Sequence, residues 1–176
     1  MRNMKKIAIA TPLGSDSGGP EALHQLCNAL IRSGRDAYIY PFAGSENNKP
    51  VERFSHYGCP IDNSLNKDAV LVVPEIVPHL IMRSGQTILW WLSIDNSPLV
   101  KKPEIAIEND INTTNVLSTE EFWVRFHSPN VTHLAQSYYA KNYLKDKYLI
   151  KSQMLTLMLI QKLNNMSEYL LQTNNV

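Results

Sequence analysis

The sequence predicts an α/β fold: a doubly wound parallel sheet of about five strands with flanking helices, followed by a C-terminal helix. Three observations lead there. Short, almost wholly apolar runs recur at Ile7 to Ala10, Ala69 to Pro74 and Thr87 to Ser93, as in strands buried on both faces. Between the first run and the next strand, Leu23, Leu26, Cys27, Leu30 and Ile31 recur at helical spacing and define one apolar face. A strand, a helix and a strand in succession form a βαβ unit, whose crossover is right-handed and whose strands are parallel.

The first strand, Ile7 to Ala10, leads into a loop carrying Gly14, Gly18 and Gly19, where a backbone without Cβ atoms can turn sharply. Pro20 suits the first helical position, where its missing N–H costs nothing. Gly34 stops the helix, and Arg32 and Arg35 complement its negative end. Asp36 to Phe42 is rich in aromatic and β-branched residues and reads as the second strand. Residues 43–67 form a long polar excursion with a short helix around Val51 to Tyr57. The third strand, Ala69 to Pro74, is ended by its proline. A helix from Glu75 to Arg83 follows, with Ile76, Leu80 and Ile81 facing inward and Ser84 and Gly85 closing it. Thr87 to Ser93 is the fourth strand. Its Trp90 and Trp91 point to opposite faces, so at least one packs beneath a helix. Asp95 to Pro98 then makes a turn. Ser118 and Glu121 have capping-box spacing at the start of a short helix. Val131 to Gln136 is the fifth strand, and Ser137 caps a helix from Tyr138 to Lys147. From Met154 to Leu171 the chain is helical by propensity, although Met154 to Ile160 is nearly continuous in apolar residues rather than striped. The expected organisation is therefore a domain over residues 1–150 and a helical tail over 151–176, either a buried helix or the product of a truncation or frameshift.

With 176 residues the chain is long enough to bury a proper core. A net charge of +1 and a pI of about 7.8 announce no polyanionic partner, so no nucleic acid is expected. Two cysteines make no disulfide framework. Cys27 reads as a small core residue, and a reduced, cytoplasmic setting follows. The apolar run after Lys5 and Lys6 is too short for a signal peptide, and no run approaches the roughly 20 apolar residues of a spanning helix. Peripheral contact with a membrane is left open.

In a doubly wound sheet ligands bind at the carboxyl ends of the strands. The first loop, Glu75, Asp95 with Asn96, and Gln136 with Ser137 all follow such ends. The first loop lacks the Gly-Lys-Ser/Thr of a Walker loop, its glycines are misspaced for G-x-G-x-x-G, and Tyr40 and Pro41 stand where a dinucleotide site needs an acid. It either offers backbone N–H groups to an anion or merely turns the chain, and Glu21 in the first helical turn already answers the dipole. His24, one turn from Glu21, shares its face, and a hydrogen-bonded pair there would aim an imidazole at a ligand hydroxyl. A structural histidine is the plainer alternative. Glu75 and Asp95 can bind sugar hydroxyls or exchange protons, and can equally cap the next turn. No histidine or cysteine spacing suggests a metal, no serine sits in a nucleophile elbow, and no cofactor is implied.

The segment Lys6 to Pro12, together with Ser17 to Leu26, resembles the start of GT-B type glycosyltransferases that build bacterial surface polysaccharides. Gly18 to Leu26, Val73 to Glu75, Leu89 to Asn96 and Ala135 to Ala140 are similar, more narrowly, to an uncharacterised glycosyltransferase-like group from polysaccharide gene clusters, over residues 5 to about 150. The resemblance implies a Rossmann-like N-terminal domain that holds the acceptor while a second such domain binds the nucleotide sugar. Gly18, Gly19 and Pro20 would face the donor diphosphate, and Glu21, His24, Glu75, Asp95 and Asn96 would line the acceptor side. Which residue is catalytic is not implied. The chain is too short for the second domain, so the expected activity is half of a sugar transfer, with a partner supplying the donor domain. The alternative is a non-catalytic Rossmann-like binding module. A stand-alone nucleotide-utilising enzyme ranks last.

Overall fold

The computed structural model describes residues 5–42, 51–101 and 119–156. Six strands form one sheet in the order β2-β1-β3-β4-β5-β6. They are β1 Ile7–Thr11, β2 Ala37–Pro41, β3 Val70–Pro74, β4 Gln86–Trp91, β5 Val131–Ala135 and β6 Gln153–Met154. The pairings β1–β2, β3–β4, β4–β5 and β5–β6 are all parallel. Each described helix sits on a strand connection, as a parallel sheet demands: α1 Gly18–Arg32, α2 Glu52–Ser55, α3 Pro98–Lys101, α4 Thr119–Phe126 and α5 Tyr138–Tyr148. The predicted α/β class, the parallel sheet and the flanking helices are all present, with one strand more than expected. Two compact units divide the described residues, one made of those up to Asn66 together with Thr156 and the other spanning Lys67–Leu155.

In the first unit Ala8, Ile9, Ala10 and Ile39 are wholly buried, and Leu23, Cys27 and Phe54 pack with them. Helix α1 begins two residues earlier than predicted, which puts Pro20 third in the helix. That site is equally free of an intrahelical acceptor, so the ring costs no hydrogen bond there. Its far end is a Schellman motif. Gly34 takes φ +79, its N–H donates to the Ile31 carbonyl at 2.9 Å, and the Arg35 N–H donates to Leu30 at 2.9 Å. The short helix near Val51 is present as α2.

In the second unit Leu71, Val73, Leu89, Trp90, Trp91, Phe122, Phe126 and Leu144 make the core. Trp91 meets Phe126 of α4 edge-on at 6.2 Å, and the Trp90 indole N–H donates to the Leu155 carbonyl at 3.2 Å. Two expectations need correction. The helix predicted from Glu75 is a 3-10 helix, Pro78–Arg83, because Pro78 pushes Val77 out of the helical region (φ −131). Leu80 and Ile81 face inward as expected, whereas Ile76 is 39 % exposed. Met154 belongs to β6 rather than to a helix. Helix α5 ends at Tyr148, its C-cap Leu149 takes the left-handed conformation at φ 57, and the Leu155 N–H then joins the ladder at the Ala135 carbonyl. Ser137 caps α5 as predicted, accepting the Ala140 N–H at 3.1 Å. Ser118, as half of the predicted capping box, and the tail beyond Thr156 lie outside the described residues.

Candidate functional site

In the first unit the candidate residues gather at the start of α1. Ser17 holds the N-cap position in extended conformation, but its hydroxyl turns to that of Ser15 at 3.1 Å and makes no cap hydrogen bond. The first-turn N–H groups of α1 therefore receive no acceptor from the cap side chain. Gly18 and Gly19 are helical, and the chain does not use them for a left-handed turn. The positive-φ glycines among the described residues are Gly34 and Gly58. A Cβ built on Gly18 meets nothing within 4 Å, so no packing inside the protein demands a glycine there.

Glu21 does not pair with His24. Its carboxylate accepts from Arg53 of α2 and, at 3.4 Å, from the Tyr57 hydroxyl. Arg53 also reaches Asp16 at 3.0 Å. Gln25 donates to the Tyr57 hydroxyl at 3.1 Å, and Asn28 donates to the Tyr57 carbonyl at 2.7 Å. A cluster of Asp16, Glu21, Gln25, Arg53 and Tyr57 results, in which Asp16 and Arg53 are exposed and Glu21, Gln25 and Tyr57 are half-buried. Its two carboxylates exceed its one guanidinium, and a hydroxyl and an amide stand beside them. Sequence spacing identified Glu21 but not Arg53 or Tyr57, which lie 32 and 36 positions away.

His24 is 1 % exposed. Its Nδ1 lies 2.8 Å from the Pro20 carbonyl, an acceptor only, so Nδ1 carries the proton and Nε2 the lone pair. The ring packs on Phe54 at 5.0 Å and on Tyr57 at 6.4 Å. Burial lowers its pKa, partly opposed by the bond to Pro20. Nε2 is buried and has no hydrogen-bond partner among the described residues. The residue is thus a neutral imidazole under an aromatic cover, with one ring nitrogen unused.

In the second unit Glu75 follows β3 and is 2 % exposed. Its carboxylate accepts the Leu92 N–H at 2.9 Å and the Ser93 N–H at 3.1 Å, and its carbonyl accepts the Ser97 hydroxyl at 3.3 Å. Burial pushes its pKa up to about 7 against those hydrogen bonds. The side chain is committed to fixing the backbone after β4. Asp95 and Asn96 lie in the 3-10 turn Ile94–Asn96 with their side chains exposed, while Ile94 and Ser97 on either side are buried.

His133, which spacing did not single out, is buried and held at both ring nitrogens. The Trp91 indole N–H donates to its Nδ1 at 3.2 Å, so its Nε2–H donates to the Phe126 carbonyl at 3.0 Å. Burial holds its pKa down at about 4. This neutral imidazole ties β4 and β5 to α4 and has no nitrogen left for chemistry. A groove of about 470 Å³ along α5, lined by Tyr139, Asn142, Tyr143, Asp146 and Lys147, includes none of the predicted residues. Among the described residues no group of three or more His, Cys, Asp or Glu side chains is placed to hold a metal ion, and no helix is long and apolar enough to cross a membrane.

The class these elements define is a Rossmann-like α/β protein. No protein-family model, no curated protein and no solved structure matches the chain.

Proposed function

We infer that this chain is the acceptor-side domain of a glycosyltransferase acting in surface polysaccharide synthesis. The sugar donor is then held by a second α/β domain that these residues do not include. The observation that carries the reading is the start of α1, uncapped by Ser17 and flanked by Asp16, Glu21, Arg53 and Tyr57. Carboxylates, a guanidinium and a phenol at one spot hydrogen-bond vicinal hydroxyls, and bare helix N–H groups favour a sugar oxygen or a phosphate. The excess of carboxylate over guanidinium weighs toward the neutral polyol.

The test is NMR titration of the full chain with a panel of oligosaccharide acceptors and nucleotide-sugar donors, alongside a transfer assay. Glu21→Gln should weaken acceptor binding about tenfold by removing a charge-assisted acceptor. Gly18→Val should leave the fold intact, since its Cβ meets open space, yet cover the start of α1 and weaken binding as well. Binding untouched by either change would refute the assignment, and sugar transfer by the purified chain alone would refute the half-enzyme.

A non-catalytic binding module is the second reading. The observation favouring it is the commitment of Glu75 to backbone groups, which takes one expected site carboxylate out of reach of a substrate. That reading expects Gly18→Val and Asp95→Ala to leave sugar and nucleotide titrations unchanged while a protein partner still binds.

A further inference from the structure

The two cysteines, unrelated by spacing, meet in the first unit. Cys27 lies on the buried face of α1 and is wholly buried, whereas Cys59, in the segment after α2, is partly exposed. The two thiols are within hydrogen-bonding contact of each other. Cys59 Sγ also lies 3.4 Å from the carbonyl of His24, which sits three residues before Cys27 on the same helical face.

Both backbones are anchored. Cys27 is held by the middle of a 15-residue helix. On the other side, the Asn28 side chain holds the Tyr57 carbonyl at 2.7 Å, and the Gly58 N–H donates to Ser55 at 3.1 Å. The Pro60 carbonyl accepts the Ile39 N–H at 2.8 Å, and Ile61 bridges to Ile39 of β2. The thiols therefore face each other from fixed positions.

Their protons are unequally held. The hydrogen bond with Cys59, then burial, pushes the Cys27 thiol up. The same bond from Cys27 draws the Cys59 thiol down against burial, helped by the backbone N–H of Asn28. The more acidic sulfur is also the accessible one, the combination that marks an attacking thiol. The buried sulfur is placed to resolve what forms on it.

We propose that Cys27 and Cys59 are a redox-active dithiol that hydrogen peroxide closes to an intramolecular disulfide, locking the segment after α2 onto α1. In the first step the Cys59 thiolate attacks a peroxide oxygen. The S–O bond forms, the O–O bond breaks, and the departing hydroxide takes up the thiol proton as water. In the second step Cys27 attacks the Cys59 sulfenic sulfur. The S–S bond forms, the S–O bond breaks, and the hydroxide leaves as water with the Cys27 proton. Two thiols are oxidised and one peroxide is reduced to two waters. A dithiol reductant reverses the closure by exchange. The locked segment carries Tyr57 and follows directly on α2, which carries Arg53, so oxidation restrains both partners of Glu21.

The experiment exposes the reduced full chain to stoichiometric hydrogen peroxide and follows free thiols, intact mass and a peptide map under non-reducing conditions. The expected result is loss of both thiols, a mass lower by two hydrogens, and one cross-linked peptide pair joining Cys27 to Cys59. Cys27→Ala should instead accumulate a Cys59 sulfenic acid that dimedone captures. Cys59→Ala should consume peroxide at least about tenfold more slowly than wild type. Wild-type chain that keeps both thiols, that carries sulfinate or sulfonate on Cys59, or that cross-links only between molecules overturns the proposal. Those wild-type outcomes decide it even where a variant fails to fold.

Discussion

Glu75 and Asp95 show how differently two carboxylates at strand ends can be used. Glu75 is sealed from water and accepts two backbone N–H groups, whereas Asp95 stands in solvent on a 3-10 turn. Glu75→Ala leaves the Leu92 and Ser93 N–H groups without their acceptor and should cost about 2 kcal/mol of unfolding free energy. Asp95→Ala should stay within about 0.5 kcal/mol of wild type. Urea titrations of the two variants separate the roles, and equal effects would contradict the assignment. Both residues were legible in the sequence as carboxylates after strands. Their division of labour was not, because the N–H partners of Glu75 lie 17 and 18 residues along the chain. His24 is similar. Its place on a helix face was legible, but the aromatic cover from Phe54 and Tyr57 comes from a segment with no periodic link to α1.

At the scale of elements, local chemistry set the boundaries that were read correctly. Gly34 ends α1 because the Schellman motif needs a left-handed residue there, and Gly34→Ala should cost about 1 kcal/mol in the same titration. Ser137 opens α5 because its hydroxyl reaches the third helical N–H. The helix expected after Glu75 failed on Pro78, a proline signal present in the sequence but outweighed there by the apolar spacing of Ile76, Leu80 and Ile81. The guanidinium of Arg125 helps to tie that 3-10 helix and the residues after it to α4. Arg125 donates to the carbonyls of Ile81, Ser84 and Gly85 at 3.3, 2.6 and 3.0 Å. Arg125→Ala should lower stability by about 2 kcal/mol, and Arg125→Lys should recover little, because an ammonium lacks the fork that spans several acceptors. Full rescue by lysine would show that charge alone matters.

For the molecule as a whole, two buried groups in the second unit give stability opposite dependences on pH. Burial raises the Glu75 carboxyl from 4.5 to about 7, so the folded state holds the extra proton between those values. Its contribution is full below pH 4.5 and is lost as pH rises through 7. Burial lowers His133 from 6.5 to about 4, so the unfolded state holds the extra proton there. That contribution is full above pH 6.5 and is lost as pH falls through 4. Glu75→Gln cannot titrate, so its unfolding free energy should gain on wild type as pH rises from 4.5 to 7, in paired urea titrations across that range. A difference independent of pH would place the Glu75 titration outside the window.

The sequence by itself determined the α/β class, the positions of β1 to β5, the run of α1 and α5 and the burial of Cys27. These follow from apolar periodicity, capping side chains and the φ preferences of glycine and proline, which act within a turn or two of chain. Only the tertiary structure decided that Glu21 belongs to Arg53 and Tyr57, that Glu75 serves backbone N–H groups, that His133 bridges Trp91 to Phe126, and that Cys27 meets Cys59. Each of these pairings joins side chains or backbone groups on different elements. Which distant segments meet is set by the order and register of the strands, and no local spacing encodes that.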